Sequence, residues 1–184
     1  NDQYTAVQMR YADKPVCDKD YGDLTIAVNE PDGFYQEYWY RGRWQDGITT
    51  FWNNLAEDKL INRHYETVGK QDTCSVGASK VISRKQSQSF RFVLSWNVPN
   101  NYNYWNECKN DDGTHKTWKN YYATVFENSS ETAVYALENW EDLYNRTLKF
   151  KKTLHESTLP KEVIDAASAN LSVLKSPTVL RLED

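Results

Sequence analysis

The sequence predicts an α+β chain, an antiparallel β-sandwich portion followed by α-helices. Three observations carry this. Apolar and polar residues alternate through much of the first half, the period of strands with one buried face. Beyond about Asn128 the apolar period lengthens to three and four, the period of amphipathic helices. Turn chemistry separates the alternating runs, at Pro31-Asp32-Gly33, Gly42, Pro99-Asn100-Asn101 and Asp111-Asp112-Gly113.

In order along the chain, TAVQMRY puts Thr5, Val7, Met9 and Tyr11 on one face of a strand. DLTIAVN does the same with Leu24, Ile26 and Val28. WQDGITTFWNNLAEDKL carries Trp44, Ile48, Phe51, Trp52 and Leu55 at helical spacing, a short helix laid on a sheet or inserted in the sandwich. CSVGASKVIS alternates less cleanly. SQSFRFVLSWN is the clearest strand: Phe90, Phe92, Leu94 and Trp96 point one way, Arg91, Val93 and Ser95 the other. The stretch from Ser129 to Ser157 reads as one long amphipathic helix. Ser129-Ser130 supplies its N-cap and Glu131 a first-turn charge, and Lys149, Lys151 and Lys152 sit near its end. Pro160 then opens a second helix with Val163, Ala167, Asn170, Leu171 and Leu174 on one face, Pro177 ends it, and TVLRL is extended. No internal repeat or low-complexity segment interrupts this order.

Composition excludes several classes. The net charge is -4, and the longest basic run is the Lys149–Lys152 cluster, so a phosphate-binding face is not expected and nucleic acid is no partner. No stretch approaches the roughly 20 apolar residues of a membrane span. The opening NDQYTAVQMR has neither the basic nor the apolar region of a signal peptide. Cys17, Cys74 and Cys108 are odd in number and lack a C-x-x-C, which points to free thiols in a reducing, cytoplasmic setting and away from zinc. Sequons at Asn128, Asn145 and Asn170 point weakly the other way, and two of them fall in predicted helices.

Catalytic patterns are sparse. His64, His115 and His155 stand in no H-E-x-x-H or G-x-S-x-G context. CKNDDGTHKTWK invites comparison with a calcium loop, but alignment on Gly113 puts Cys108 first and Lys119 twelfth, where carboxylates are required. A polar turn is the better reading, and neither metal nor cofactor is expected. The acidic pairs Glu57-Asp58 and Glu141-Asp142, with Glu66, Glu127, Glu131 and Glu183-Asp184, fall mostly at helix starts and on exposed faces. Two aromatic stretches remain. NYNYWNE holds Tyr102, Tyr104 and Trp105, and YQEYWYRGRW holds Trp39, Tyr40, Arg41 and Trp44. Flat rings beside Asn and Arg suit sugars, whose C–H faces stack and whose hydroxyls take hydrogen bonds. Core and loop packing is the commoner use of such rings. Trp39, Tyr102, Tyr104 and Trp105 are the candidate sugar-contacting residues.

Three stretches together, YWYRGRWQDGITTFWNNL, FRFVLSWNVPN and STLPKEVIDAASANLSVLKSPTVLRLED, resemble glycoside hydrolase family 116. That family contains β-glucosidases and non-lysosomal glucosylceramidases. The resemblance implies a sandwich domain followed by an (α/α)6 catalytic domain, and retaining hydrolysis of β-linked glucosides by a Glu nucleophile and an Asp acid/base. It places both catalytic residues beyond this chain, so none is assigned here, Glu183 and Asp184 included. The implied organisation is the later sandwich over 1–128, a connecting helix over 129–156, and the start of the helical catalytic domain over 157–184. A partial hydrolase, inactive alone, is the leading expectation, with a carbohydrate or glycolipid substrate met through the parent enzyme and the remainder of the catalytic domain as its partner. The alternatives are a non-catalytic carbohydrate-binding sandwich module and a purely structural interaction domain. The apolar residues that run almost to the end, from Leu171 to Leu182, predict association of the isolated chain.

Overall fold

The structure is a computed structural model that describes residues 3–44, 46–69, 71–104, 106–175 and 180–183. Its centre is a three-stranded antiparallel sheet in the order β1 (Thr5–Arg10), β2 (Asp23–Val28), β5 (Phe92–Asn97). Register places Thr5, Val7 and Met9 opposite Val28, Ile26 and Leu24, which lie opposite Phe92, Leu94 and Trp96. All nine side chains therefore share one face. The other face carries Asp23, Thr25 and Ala27 beside Asn97, Ser95 and Val93.

Two further hairpins complete the β portion. β3 (Phe34–Gln36) pairs with β4 (Ser75–Gly77), and β6 (Asn100–Tyr102) with β7 (Thr117–Lys119). The β3–β4 hairpin packs on β1 and β2 and buries Val7 and Val28, which makes a second layer over one end of the first face. Gly33 permits the approach: a Cβ there would stand 2.8 Å from Thr5 Oγ1 and 2.7 Å from the Gly77 carbonyl. α1 (Gly47–Ala56) lies between β3 and β4.

Helices follow as expected: α2 (Tyr122–Val125), α3 (Ser129–Glu138), α4 (Trp140–His155) and α5 (Lys161–Asn170), then a 3-10 turn over Leu171–Lys175. α3 roofs the second face of the sheet against β2 and β5. Ala27 and Ala133, both 1% exposed, and Leu137 form the apolar centre of that contact, with Tyr4 and Val93 beside them. Small side chains on both sides bring helix and sheet close together. The mixed α/β content and strand-then-helix order match the predicted class, and the two packed β layers are compatible with part of a sandwich.

Several expectations change. The apolar stripe of β5 is the open side: Phe92, Leu94 and Trp96 are exposed, while Ser95 and Asn97 are buried. The cause is coverage. The β3–β4 layer sits over β1 and β2, and α3 offers polar partners to the Ser95–Asn97 face. β2 likewise buries Asp23, Thr25 and Ala27 more deeply than Leu24 and Ile26. The expected turn Pro99-Asn100-Asn101 is largely strand β6. α1 forms but buries no residue, so it is not laid closely on a sheet. The N-cap of α3 is Asn128, not Ser129: Asn128 Oδ1 accepts from Ser130 N at 2.9 Å and Glu131 N at 3.1 Å. The long helix is two segments that meet at Asn139, whose side-chain amide and backbone N–H both donate to the Tyr135 carbonyl. In α5 the buried residue is Ile164, whereas Val163 of the expected face is exposed. Pro177, read as the end of that helix, lies outside the described residues, as do Thr178 and Val179 of the extended TVLRL.

Leu182 bridges back to Asn120, Tyr121 N donates to the Arg181 carbonyl at 2.8 Å, and Lys119 N donates to Glu183 Oε1 at 2.9 Å. The final described residues thus clasp the end of β7.

Candidate functional site

The β6–β7 hairpin builds a small cleft at its tip. Its turn is set by Asp112, whose Oδ1 accepts from Thr114 N at 2.9 Å and from Thr114 Oγ1 at 2.6 Å. Gly113 follows with φ +81°, a conformation that favours glycine. Asn110 N donates to the Thr114 carbonyl and Gly113 N to the Asn110 carbonyl. CKNDDGTHKTWK is therefore the polar turn expected of it. Asp112 is held below its ordinary pKa by the Thr114 hydrogen bonds. Beyond the turn Lys109 bridges to His115, and Lys116 N donates to the Cys108 carbonyl at 2.9 Å.

This geometry brings Tyr102, Tyr104, Glu107, Cys108, His115 and Lys116 around a cavity of about 190 Å³. Tyr104 meets Tyr102 edge to face, centroids 6.4 Å apart, and His115 tilts against Tyr102 at 5.4 Å. Lys19 Nζ stands 5.8 Å from the centre of the Tyr102 ring. Lys116 Nζ is turned aside, 4.1 Å from the centre of the Trp118 ring. Tyr104 is 73% exposed and offers a ring to solvent.

Of the four candidate residues, Tyr102 and Tyr104 come together here. Trp105 lies outside the described residues. Trp39 is elsewhere: its ring stacks on Phe51 at 4.5 Å, and its Nε1 donates to Ser75 Oγ at 2.7 Å. Those contacts tie α1 to β4, which is packing. Glu107, Cys108 and His115 were not singled out from the sequence as companions of the tyrosines. The signal was the turn at Asp112-Gly113, which folds residues 107–109 back onto 115–116.

The cleft can bind but is not equipped to hydrolyse. Retaining glycoside hydrolysis needs two carboxyls about 5–5.5 Å apart, one of them kept protonated, and Glu107 is the single carboxylate lining this cavity. The carboxyls with shifted pKa, Asp20, Asp23 and Asp112, are all moved down, opposite to a general acid. Glu183, in the approach segment, is engaged by Lys119 N. Among the described residues no group of three or more His, Cys, Asp or Glu is placed to hold a metal ion. Among them, too, no helix is long and apolar enough to cross a membrane.

Comparison with known proteins bears on the rest. No curated protein matches the chain. A family model described as "beta-glucosidase 2, glycosyl-hydrolase family 116 N-term" matches residues 1–143. The match takes in every strand, α3 and the start of α4. The chain belongs to glycoside hydrolase family 116, in its β-glucosidase N-terminal region.

Proposed function

We propose that residues 1–184 serve a retaining β-glucosidase of the glucosylceramidase type as its later sandwich layer (1–128), a connecting helical element (129–156) and the start of the helical catalytic domain (157–184). The observation that carries this is the family match over residues 1–143, whose model is that of an N-terminal region. The chain alone is inactive, because the nucleophile and the acid/base come from sequence outside it. The substrate is a β-linked glucoside, a glycolipid among them. The three free thiols support a reducing, cytoplasmic setting.

The test is the intact mass and peptide map of the protein in its source, followed by assay on a chromogenic β-glucoside and on glucosylated ceramide. The expected result is a mass several times 21.6 kDa, turnover with retention by the full protein, and none by residues 1–184 alone. Turnover by the 184-residue chain itself, or inversion by the full protein, would overturn the reading.

A second reading has its own observation. The Tyr102–Tyr104 cleft presents an exposed ring beside hydrogen-bonding groups, which supports a non-catalytic sugar contact. Tyr104→Ala should then abolish a weak sugar-dependent shift of the His115 ring signals in NMR titration. An unchanged shift sinks it.

A further inference from the structure

The largest cavity lies apart from the tyrosine cleft. It is a groove of about 1020 Å³ between the open end of the sheet's first face and the segment from His64 to Asp72. Val7, Met9 and Leu24 supply apolar surface to it. Register extends this surface sideways, because Met9 lies opposite Leu24 and Leu24 opposite Trp96. At normal strand spacing the row Met9–Leu24–Trp96 spans roughly 10 Å. Trp96 is 65% exposed, so a free indole stands at the β5 side of the groove.

The opposite side is polar, with Glu37, His64, Gln71 and Asp72. These groups are fixed from behind. Arg41 holds Asp72 with Nε to Oδ1 at 2.9 Å and Nη2 to Oδ2 at 2.5 Å. Its guanidinium stands over the rings of Tyr38 and Tyr65, at 4.6 and 4.9 Å. Glu37 accepts from Tyr65 N at 3.1 Å and pairs with His64 Nδ1 at 2.6 Å. An ionised carboxylate has about four acceptor sites, so Glu37 and Asp72 each keep acceptor capacity after these contacts.

A lipid chain would want apolar walls throughout, and a cationic peptide would want unpaired carboxylates. The rim of this groove is polar, and Asp72 is already neutralised by Arg41. A flat exposed indole on one side and pre-oriented acceptors on the other match a neutral pyranose, which has a C–H face and a ring of hydroxyls.

We propose that this groove binds a neutral oligosaccharide, one sugar ring stacked on Trp96 and its neighbour hydrogen-bonded by Gln71, Glu37 and Asp72. The proposal rests on the carbohydrate-processing reading above and assigns it a second, non-catalytic contact point.

The test is titration of the 184-residue chain with cellotetraose, followed by calorimetry and tryptophan fluorescence, with folding of each variant checked by circular dichroism. Saturable binding is expected. Trp96→Ala should weaken it about tenfold and Gln71→Ala several-fold, while Tyr104→Ala leaves it unchanged. Should Trp96→Ala fail to fold, Gln71→Ala and Trp96→Tyr carry the test, since both keep the sheet's apolar surface nearly intact. Absence of binding by the folded chain overturns the proposal. Binding that survives Trp96→Ala and Gln71→Ala but is lost in Tyr104→Ala overturns it too, in favour of the tyrosine cleft. β-Glucoside turnover by the full protein is read separately, so active enzyme with an empty groove removes this proposal and leaves the hydrolase reading standing.

Discussion

Asp23 joins the sheet to the helices. It is 4% exposed, and its carboxylate accepts from Ser129 N at 2.7 Å, Asn97 Nδ2 at 3.0 Å and Gln8 Nε2 at 3.2 Å. Burial alone would raise its pKa, but the donors from Ser129, Asn97 and Gln8 together outweigh burial and bring it below the ordinary value. A depressed folded pKa contributes stability that is complete above the unfolded value of about 3.9 and is lost as pH falls through the folded value. Urea midpoints measured between about pH 6 and pH 2 should therefore drop below about pH 4 in the native protein, and that step should shrink in Asp23→Asn. Asp23→Ala leaves buried donors unpaired and should cost about 2–3 kcal/mol at neutral pH. The thiols offer a second check. Cys17 and Cys108 are exposed, whereas burial pushes the Cys74 thiol up. A disulfide exchange reagent should titrate two thiols quickly and Cys74 slowly at pH 8. None of this polar packing is visible in the sequence. DLTIAVN displays Leu24, Ile26 and Val28, and the quiet positions between them are the ones α3 covers.

Element by element, what could be read depended on whether the signal was local. The strands β1, β2 and β5 follow from alternation, and the helices from their longer period. The burial of each strand face does not, because alternation offers two faces and the choice belongs to whatever packs against them. The cap of α3 was missed by one residue, since Asn128 and Ser129 are both good cap types and backbone geometry decides between them. Asn128→Ala should cost about 1 kcal/mol of stability, and Asn128→Ser should restore most of it in the same denaturation series. Glu131 strengthens this end through Glu127 N, which donates to its Oε2 at 2.7 Å. Ala133→Leu should cost about 1–3 kcal/mol by overpacking, because Ala133 meets Ala27 with no space between helix and sheet. The tyrosine cleft was half legible. Tyr102 and Tyr104 are neighbours in sequence, but His115 and Cys108 reach them only through the hairpin.

For the molecule as a whole, the open face of β5 is the dominant surface feature. Phe92, Leu94 and Trp96 stand exposed in a row, and α1 adds Ile48 and Trp52. Contiguous apolar surface of this kind favours self-association. Light scattering of the isolated 184-residue chain should show a mass that rises with concentration, and Leu94→Lys should suppress that rise without loss of helix content. A strictly monomeric native chain up to high concentration would contradict this. The clasp at Tyr121 and Arg181 has a different kind of consequence. Lys119 and Glu183 are 64 residues apart in sequence yet hydrogen-bonded, so the whole helical excursion is a closed loop anchored at one point of the β portion. Closing so long a loop is entropically expensive, but the expense rises only slowly with length. Insertions between α4 and α5 should therefore be tolerated well, whereas a single proteolytic cut there turns one tethered loop into two loose arms. The bonds at β7 then stop being intramolecular in effect, and residues 180–183 are released together with α5.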